Sequence, residues 1–182
     1  MSWPAFALRP FWGDGPSTKV AFKFKDAFLV RPFSDEQIKT IYQYVSERAD
    51  TPGAAVTMAS FGGKINEVVP DATASPQRSA IFATSTTPVW TDPSEVEKYM
   101  DWARSCYRDL FAESGGAPVP GTRFGVCMMA HPDNDLANPL WNQTGIPWHV
   151  FYYQHHYPRL QLIKKKWDPM NIFHHALPVV PA

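Results

Sequence analysis

Between Asp92 and Leu110, the residues Val96, Tyr99, Met100, Ala103, Cys106, Tyr107 and Leu110 recur at intervals of three and four. That is the spacing of one face of an α-helix, and a face this apolar must be buried against a second layer. The start of the helix is also written in the chain. Asp92 is an N-cap residue, Pro93 occupies the first helical position and Glu95 completes a capping box.

The partner layer reads as strands. Val20, Phe22 and Phe24 alternate with Ala21, Lys23 and Lys25, predicting a strand with its lysine face in water. Ser34 and Gln37 form a capping box for a helix with stripe Ile38, Ile41, Tyr42 and Val45. Residues 54–61, closed by Gly62-Gly63, and residues 80–86 read as two further strands, and residues 123–129 as a fourth. Pro158 opens a last helix that runs to about Lys166, with Lys164, Lys165 and Lys166 where a helix C-terminus favours cations.

The order β-α-β-β-α-β-α predicts an α+β fold in which helices pack on one face of a small antiparallel sheet. The whole chain, 1–182, is read as one domain, and no helix remains to cover the other sheet face. Such a sheet is expected to cover its bare face or edge by forming a homodimer.

Charge excludes several classes of partner. Lys plus Arg and Asp plus Glu both number 17, so no net field exists to hold a nucleic-acid backbone or an anionic membrane surface. Two cysteines, Cys106 and Cys127, are too few for a disulfide framework and lie in apolar surroundings, as buried thiols do. Arg9, Pro10, Gly13 and Asp14 interrupt the early apolar residues, and a cytoplasmic location is expected.

The tail carries the most specific motif. Trp148-His149-Val150-Phe151-Tyr152-Tyr153-Gln154-His155-His156-Tyr157-Pro158-Arg159-Leu160, followed by Lys165-Lys166-Trp167-Asp168-Pro169-Met170-Asn171-Ile172-Phe173, resembles the C-terminal signature of the berberine-bridge-enzyme-like, FAD-linked oxidoreductases. That signature reads roughly W-x3-Y-[YF]-G-x-N-x2-R-L and then K-x-[YK]-x-D-P-x-N-x-F. Residues 25–32, 61–68 and 72–78 resemble further family segments in the same order. The resemblance implies the C-terminal part of a substrate domain. The family's FAD-binding domain would precede it, and none is expected here.

Three departures follow from that resemblance. Gln154-His155-His156 stands where the family has the G-x-N turn that faces the flavin. Thr84, or Ala83 with a different gap, stands where some members have a carboxylate base. His131, in Ala130-His131-Pro132-Asp133-Asn134-Asp135-Leu136, stands where the family has a tyrosine in N-Y-R-D-L-D-L.

His131 is therefore the first candidate for acid–base work, since imidazole titrates near neutral pH. Thr84 is the second candidate, as a hydroxyl donor, and Phe82, Thr86, Met129, Tyr153 and His156 are expected to line a substrate site. No metal site is expected, because no carboxylate or cysteine lies at ligand spacing from His149, His155 or His156. His174-His175 reads as surface.

The expected function is a flavin-independent cyclase or isomerase in secondary metabolism, acting by positioning a hydrophobic substrate and needing no cofactor. The alternatives are a part of an FAD-linked oxidoreductase, with FAD as cofactor, or a non-catalytic ligand-binding module.

Overall fold

The computed structural model describes residues 20–47 and 50–182; the early residues weighed above lie outside this range. β1 (Ala21–Phe22) and β2 (Lys25–Leu29) form one edge segment. α1 (Asp35–Ser46), β3 (Ala54–Ser60) and β4 (Phe82–Trp90) follow, then α2 (Val96–Leu110), a short α3 (Trp148–Tyr153) and α4 (Tyr157–Trp167).

β4 is the central strand and all pairings are antiparallel: β3 lies along one side, β1 and β2 along the other. β1 and β2 share one register on β4, Ala21 opposite Trp90 and Lys25 opposite Thr86. The ladder lapses between them, opposite Pro88, which has no amide hydrogen to offer. The Lys23 amide nevertheless donates to the Pro88 carbonyl at 3.3 Å.

Both long helices cover one sheet face, as an α+β fold requires. Ala27 and Leu29 pack with Tyr107, Leu110, Phe111 and Phe124, and Phe33, Ile41 and Phe82 close that cluster. Tyr44, Trp102, Ala103 and Cys106 form a second cluster against Ala54 and Val56. On the opposite face Phe28, Ala80 and Val126 are covered by Phe61 and Met128.

Several expectations are corrected. Fragment 123–129 is not a regular strand. It joins β2 through the bridge Leu29–Phe124 and bonds such as Phe28 N–H to Val126 carbonyl at 2.8 Å, and then departs because Cys127 donates to Phe151 instead. α1 is capped as read, with both capping-box bonds present, but it buries Gln37 and Tyr44 while Ile38, Tyr42 and Val45 face outward. Gln37 turns inward because its side-chain amide donates to the Leu110 carbonyl at 3.0 Å. β4 continues past Thr86 to Trp90. Asp92 caps a single 3₁₀ turn, Pro93–Glu95, that leads into α2.

The largest inversion concerns the lysines. Alternation along 20–25 is present, but the lysine side faces the helices and Phe22 is half exposed. Lys25 is 3% exposed and its ammonium lies 2.6 Å from Asp133 and 3.0 Å from Asp135. Lys23 adds a 2.6 Å contact to Asp133, and Arg104 of α2 grips Asp135 through Nε at 3.1 Å and Nη2 at 2.9 Å. Desolvation is tolerable because every charge has a partner.

Removing Lys25 takes the one fully buried cation from both carboxylates and leaves them to the more exposed Lys23 and Arg104. Lys25→Ala is expected to lower the unfolding free energy by about 3–5 kcal/mol, measured by urea denaturation. The same cluster makes stability acid-sensitive. Burial works to raise the pKa of Asp135, but the Arg104 hydrogen bond and the charges of Lys25 and Lys23 hold it far below the ordinary carboxylate range. A depressed folded-state pKa contributes stability that is complete above the unfolded value of about 3.9 and is lost as pH falls toward the folded value. The urea midpoint should fall steeply below about pH 4, and Asp135→Asn should flatten that slope.

Close approach fixes one glycine. A Cβ on Gly53 would lie 2.0 Å from the Val89 carbonyl oxygen, on the backbone that Val89 N–H and Gly53 carbonyl join at 2.8 Å. Gly53→Ala should destabilise by about 1–3 kcal/mol, read as a lowered melting temperature.

Candidate functional site

β2 places successive side chains on opposite sheet faces, so Lys25 enters the ion cluster while Asp26 points to the face that α1 and α2 leave uncovered. Ser85 lies opposite Asp26 in register. The Ser85 hydroxyl is 2.7 Å from that of Thr87, and all three residues are buried. His131 arrives from a turn closed by its amide donating to the Met128 carbonyl at 3.1 Å. Its Nδ1 lies 2.9 Å from Asp26 Oδ2, and its ring stacks on Phe24 at 4.2 Å and 10°.

The pair is a base with an orienting carboxylate. Burial raises the pKa of Asp26, opposed by a hydrogen bond from Ser85 and by the charge and hydrogen bond of His131. Asp26 holds Nδ1, so Nε2 is the nitrogen left for exchange with a ligand. The His131 side chain remains one-third exposed. The arrangement can take a proton from a hydroxyl or an acidic C–H and return it elsewhere.

The loop is anchored just beyond the histidine. Asp133, inside the ion cluster, donates its amide to the Tyr152 hydroxyl at 2.7 Å and accepts from the Asp135 amide at 3.1 Å. Tyr107 donates to the Asp26 carbonyl at 2.8 Å. Burial pushes the pKa values of Tyr107, Tyr152 and Cys127 upward, so these groups stay neutral and serve as fixed hydrogen-bonding partners.

The expected site residues do not converge. Thr84 and His131 lie on opposite sheet faces: Thr84 is buried toward the helices, with its hydroxyl donating to the Thr57 carbonyl at 3.1 Å. Thr86 and Phe82 share that inward face, Phe82 edge-on to Phe33 at 5.4 Å. Thr84 and Thr86 thus lie on the sheet face away from His131, the Thr86 hydroxyl buried without a hydrogen-bond partner. Met129 and Tyr153 pack on the Phe151–Tyr152 cluster, and His156 lies beside Asp71 across the molecule's other loop system.

The residue missed from sequence is Asp26. Thr84 or Ala83 stands at the position of the family's carboxylate base, yet the neighbouring strand delivers a carboxylate opposite Ser85. The available signal was a carboxylate between Phe24 and Phe28 on the apolar side of the alternation.

The α3–α4 turn bears on a flavin. Gln154 adopts φ 49°, ψ −132°, a backbone conformation that glycine favours. The path of a glycine turn is therefore kept, while Gln154 adds a side chain where the motif has none and His156 replaces the asparagine amide with an imidazole. The described residues also contain no glycine-rich phosphate loop. By themselves these residues do not fit FAD.

Comparison with known proteins agrees with the fold. Residues 129–180 match the family described as berberine and berberine like. The chain is 40% identical to the aclacinomycin-N/aclacinomycin-A oxidase of Streptomyces galilaeus over 87% of its own length and 29% of that protein. It is 31% identical to the hexose oxidase of Chondrus crispus, over 95% of this chain and 34% of that one. The crystal structure of CrmK, a flavoenzyme of shunt product recycling in caerulomycin biosynthesis, has a TM-score of 0.89 at 42% identity, across 99% of this chain and 36% of that one. The chain spans about a third of the length of these relatives. Among the described residues no helix is long and apolar enough to cross a membrane.

Proposed function

We propose that this chain, whose residues 129–180 match the family described as berberine and berberine like, is the substrate-facing part of an FAD-linked oxidoreductase of secondary metabolism. Its substrate is a hydroxyl-bearing small molecule, and the names of two relatives, an aclacinomycin oxidase and a hexose oxidase, favour an aclacinomycin-like compound or a hexose. One observation carries the reading: the His131–Asp26 pair at 2.9 Å on the sheet face that the long helices leave open.

In this reading His131 Nε2 accepts the proton of the substrate hydroxyl, and Asp26 holds the imidazole and stabilises the imidazolium that forms. Phe24, stacked on the ring, fixes its plane and keeps one side of it dry. The electron acceptor is held by residues other than those described, since the Gln154–His156 turn does not fit the flavin.

The flavin-independent cyclase reading rests on the same pair. A His–Asp dyad suffices for proton transfers that carry out an isomerisation, and no redox partner enters. Flavin absorbance of the purified protein separates the two: stoichiometric flavin, or turnover that depends on added FAD, supports the oxidoreductase, whereas product formed without flavin supports the cyclase.

Both readings place the proton on His131. His131→Ala is expected to lower turnover by about 10²–10⁴-fold with the circular-dichroism spectrum unchanged. Asp26→Asn should lower it less and displace the pH–rate profile, because the orienting charge is lost. Unaltered kinetics in His131→Ala would remove the dyad from the mechanism.

A further inference from the structure

The turn between α3 and α4 brings together a second group of side chains that the dyad does not use. No carboxylate lies near His155 or His156 in sequence, but the loop between β3 and β4 delivers Asp71. One ligand atom each from Asp71, His155 and His156 lie within 4.8 Å of one another. His155 Nε2 and Asp71 Oδ1 are 3.3 Å apart, which is about the edge of a tetrahedron with metal–ligand bonds of about 2.0–2.1 Å.

Two further observations point inward to the same place. His156 Nε2 is buried and has no hydrogen-bond partner, a costly state for a ring nitrogen and one that a cation relieves. A cavity of about 210 Å³ opens beside it, bordered by Asp71, Thr73, His156 and Arg159 among others. The strained backbone accounts for the convergence. The break at Gln154 ends α3 and starts a 3₁₀ turn, Gln154–His156, that leads into α4, and within it the rings of His155 and His156 lie 4.2 Å apart at 34°.

We propose that Asp71, His155 and His156 bind one divalent first-row transition-metal cation, of which Zn²⁺ suits the ligand set. Two imidazoles and one carboxylate leave a coordination position vacant. The cavity supplies room there for water or a small anionic ligand, and Arg159 supplies a counter-charge for the anion. The site shares no residue with the His131–Asp26 pair, although it stands on the turn that in the family faces the flavin, so metal binding is read out separately from flavin content and turnover. Asp71 and His155 are 76% and 62% exposed at the side chain, so they can close on an ion without disturbing the core.

Co²⁺ is the probe, titrated into the purified chain and followed by its visible ligand-field absorption. The expected result is one Co²⁺ per chain with the intense bands of a four-coordinate ion, bleached by Zn²⁺. Asp71→Asn and His156→Ala should each weaken binding by about tenfold or more, while a double His174→Ala, His175→Ala variant should bind as before. Asp71 is exposed, so Asp71→Asn remains a valid test if His156→Ala does not fold. Absence of Co²⁺ uptake, uptake unaffected by Asp71→Asn, or uptake lost on removal of His174 and His175 would each overturn the site.

Discussion

Two adjacent residues of one strand hold the same loop from opposite sides of the sheet, and the candidate site depends on that grip. Lys25 reaches the helix side and binds Asp133 and Asp135. Asp26 reaches the other side and binds His131. Because the residues of a strand alternate in direction, no rotation of the loop can satisfy one contact at the expense of the other. The loop's position is thereby determined twice, and His131 is placed by the ion cluster as well as by its own hydrogen bond.

That double attachment explains why so many charges are buried near the core. Lys23, Lys25 and Arg104 face Asp133 and Asp135, three cations against two anions. Apolar residues of similar volume could have given equal or greater stability. What they could not give is direction: a guanidinium fork on Asp135 and an ammonium on Asp133 fix the loop to within hydrogen-bond tolerance. The surrounding neutral donors, Tyr107 and Tyr152, add bonds to the Asp26 carbonyl and the Asp133 amide, so the backbone on both sides of the dyad is held as well.

Local order was legible in the sequence because its causes are local. The capping box at Ser34, the stripe of α2 and the start of the last helix at Tyr157-Pro158 each rest on neighbours within one or two turns, and each is found. Facing was not legible. Lysines 23 and 25 look like a wet strand face until Asp133 and Asp135 arrive more than a hundred residues later, and Ile38, Tyr42 and Val45 look like a core stripe until Gln37 finds Leu110. The candidate site divides in the same way: His131 is legible by residue type, whereas Asp26 and Asp71 reach their histidines by long-range pairing that no spacing encodes.

The second half of the tail signature has a purely structural reading that sets it apart from the first half. Asp168 ends α4: it pairs with Lys164 and accepts the amides of Ile172 at 2.8 Å and Phe173 at 3.0 Å. The Lys164 hydrogen bond, reinforced by those amides, holds its carboxyl below the usual range. D-P-x-N-x-F is thus a helix stop that any protein ending this way could use, with Asn171 at φ 51° completing the turn. The first half is different in kind. Gln154 holds a conformation that costs a non-glycine residue about 1–3 kcal/mol, and glycine in its place would remove that cost. The turn keeps that strain while presenting two histidines to an aspartate, an arrangement that chain reversal alone does not require.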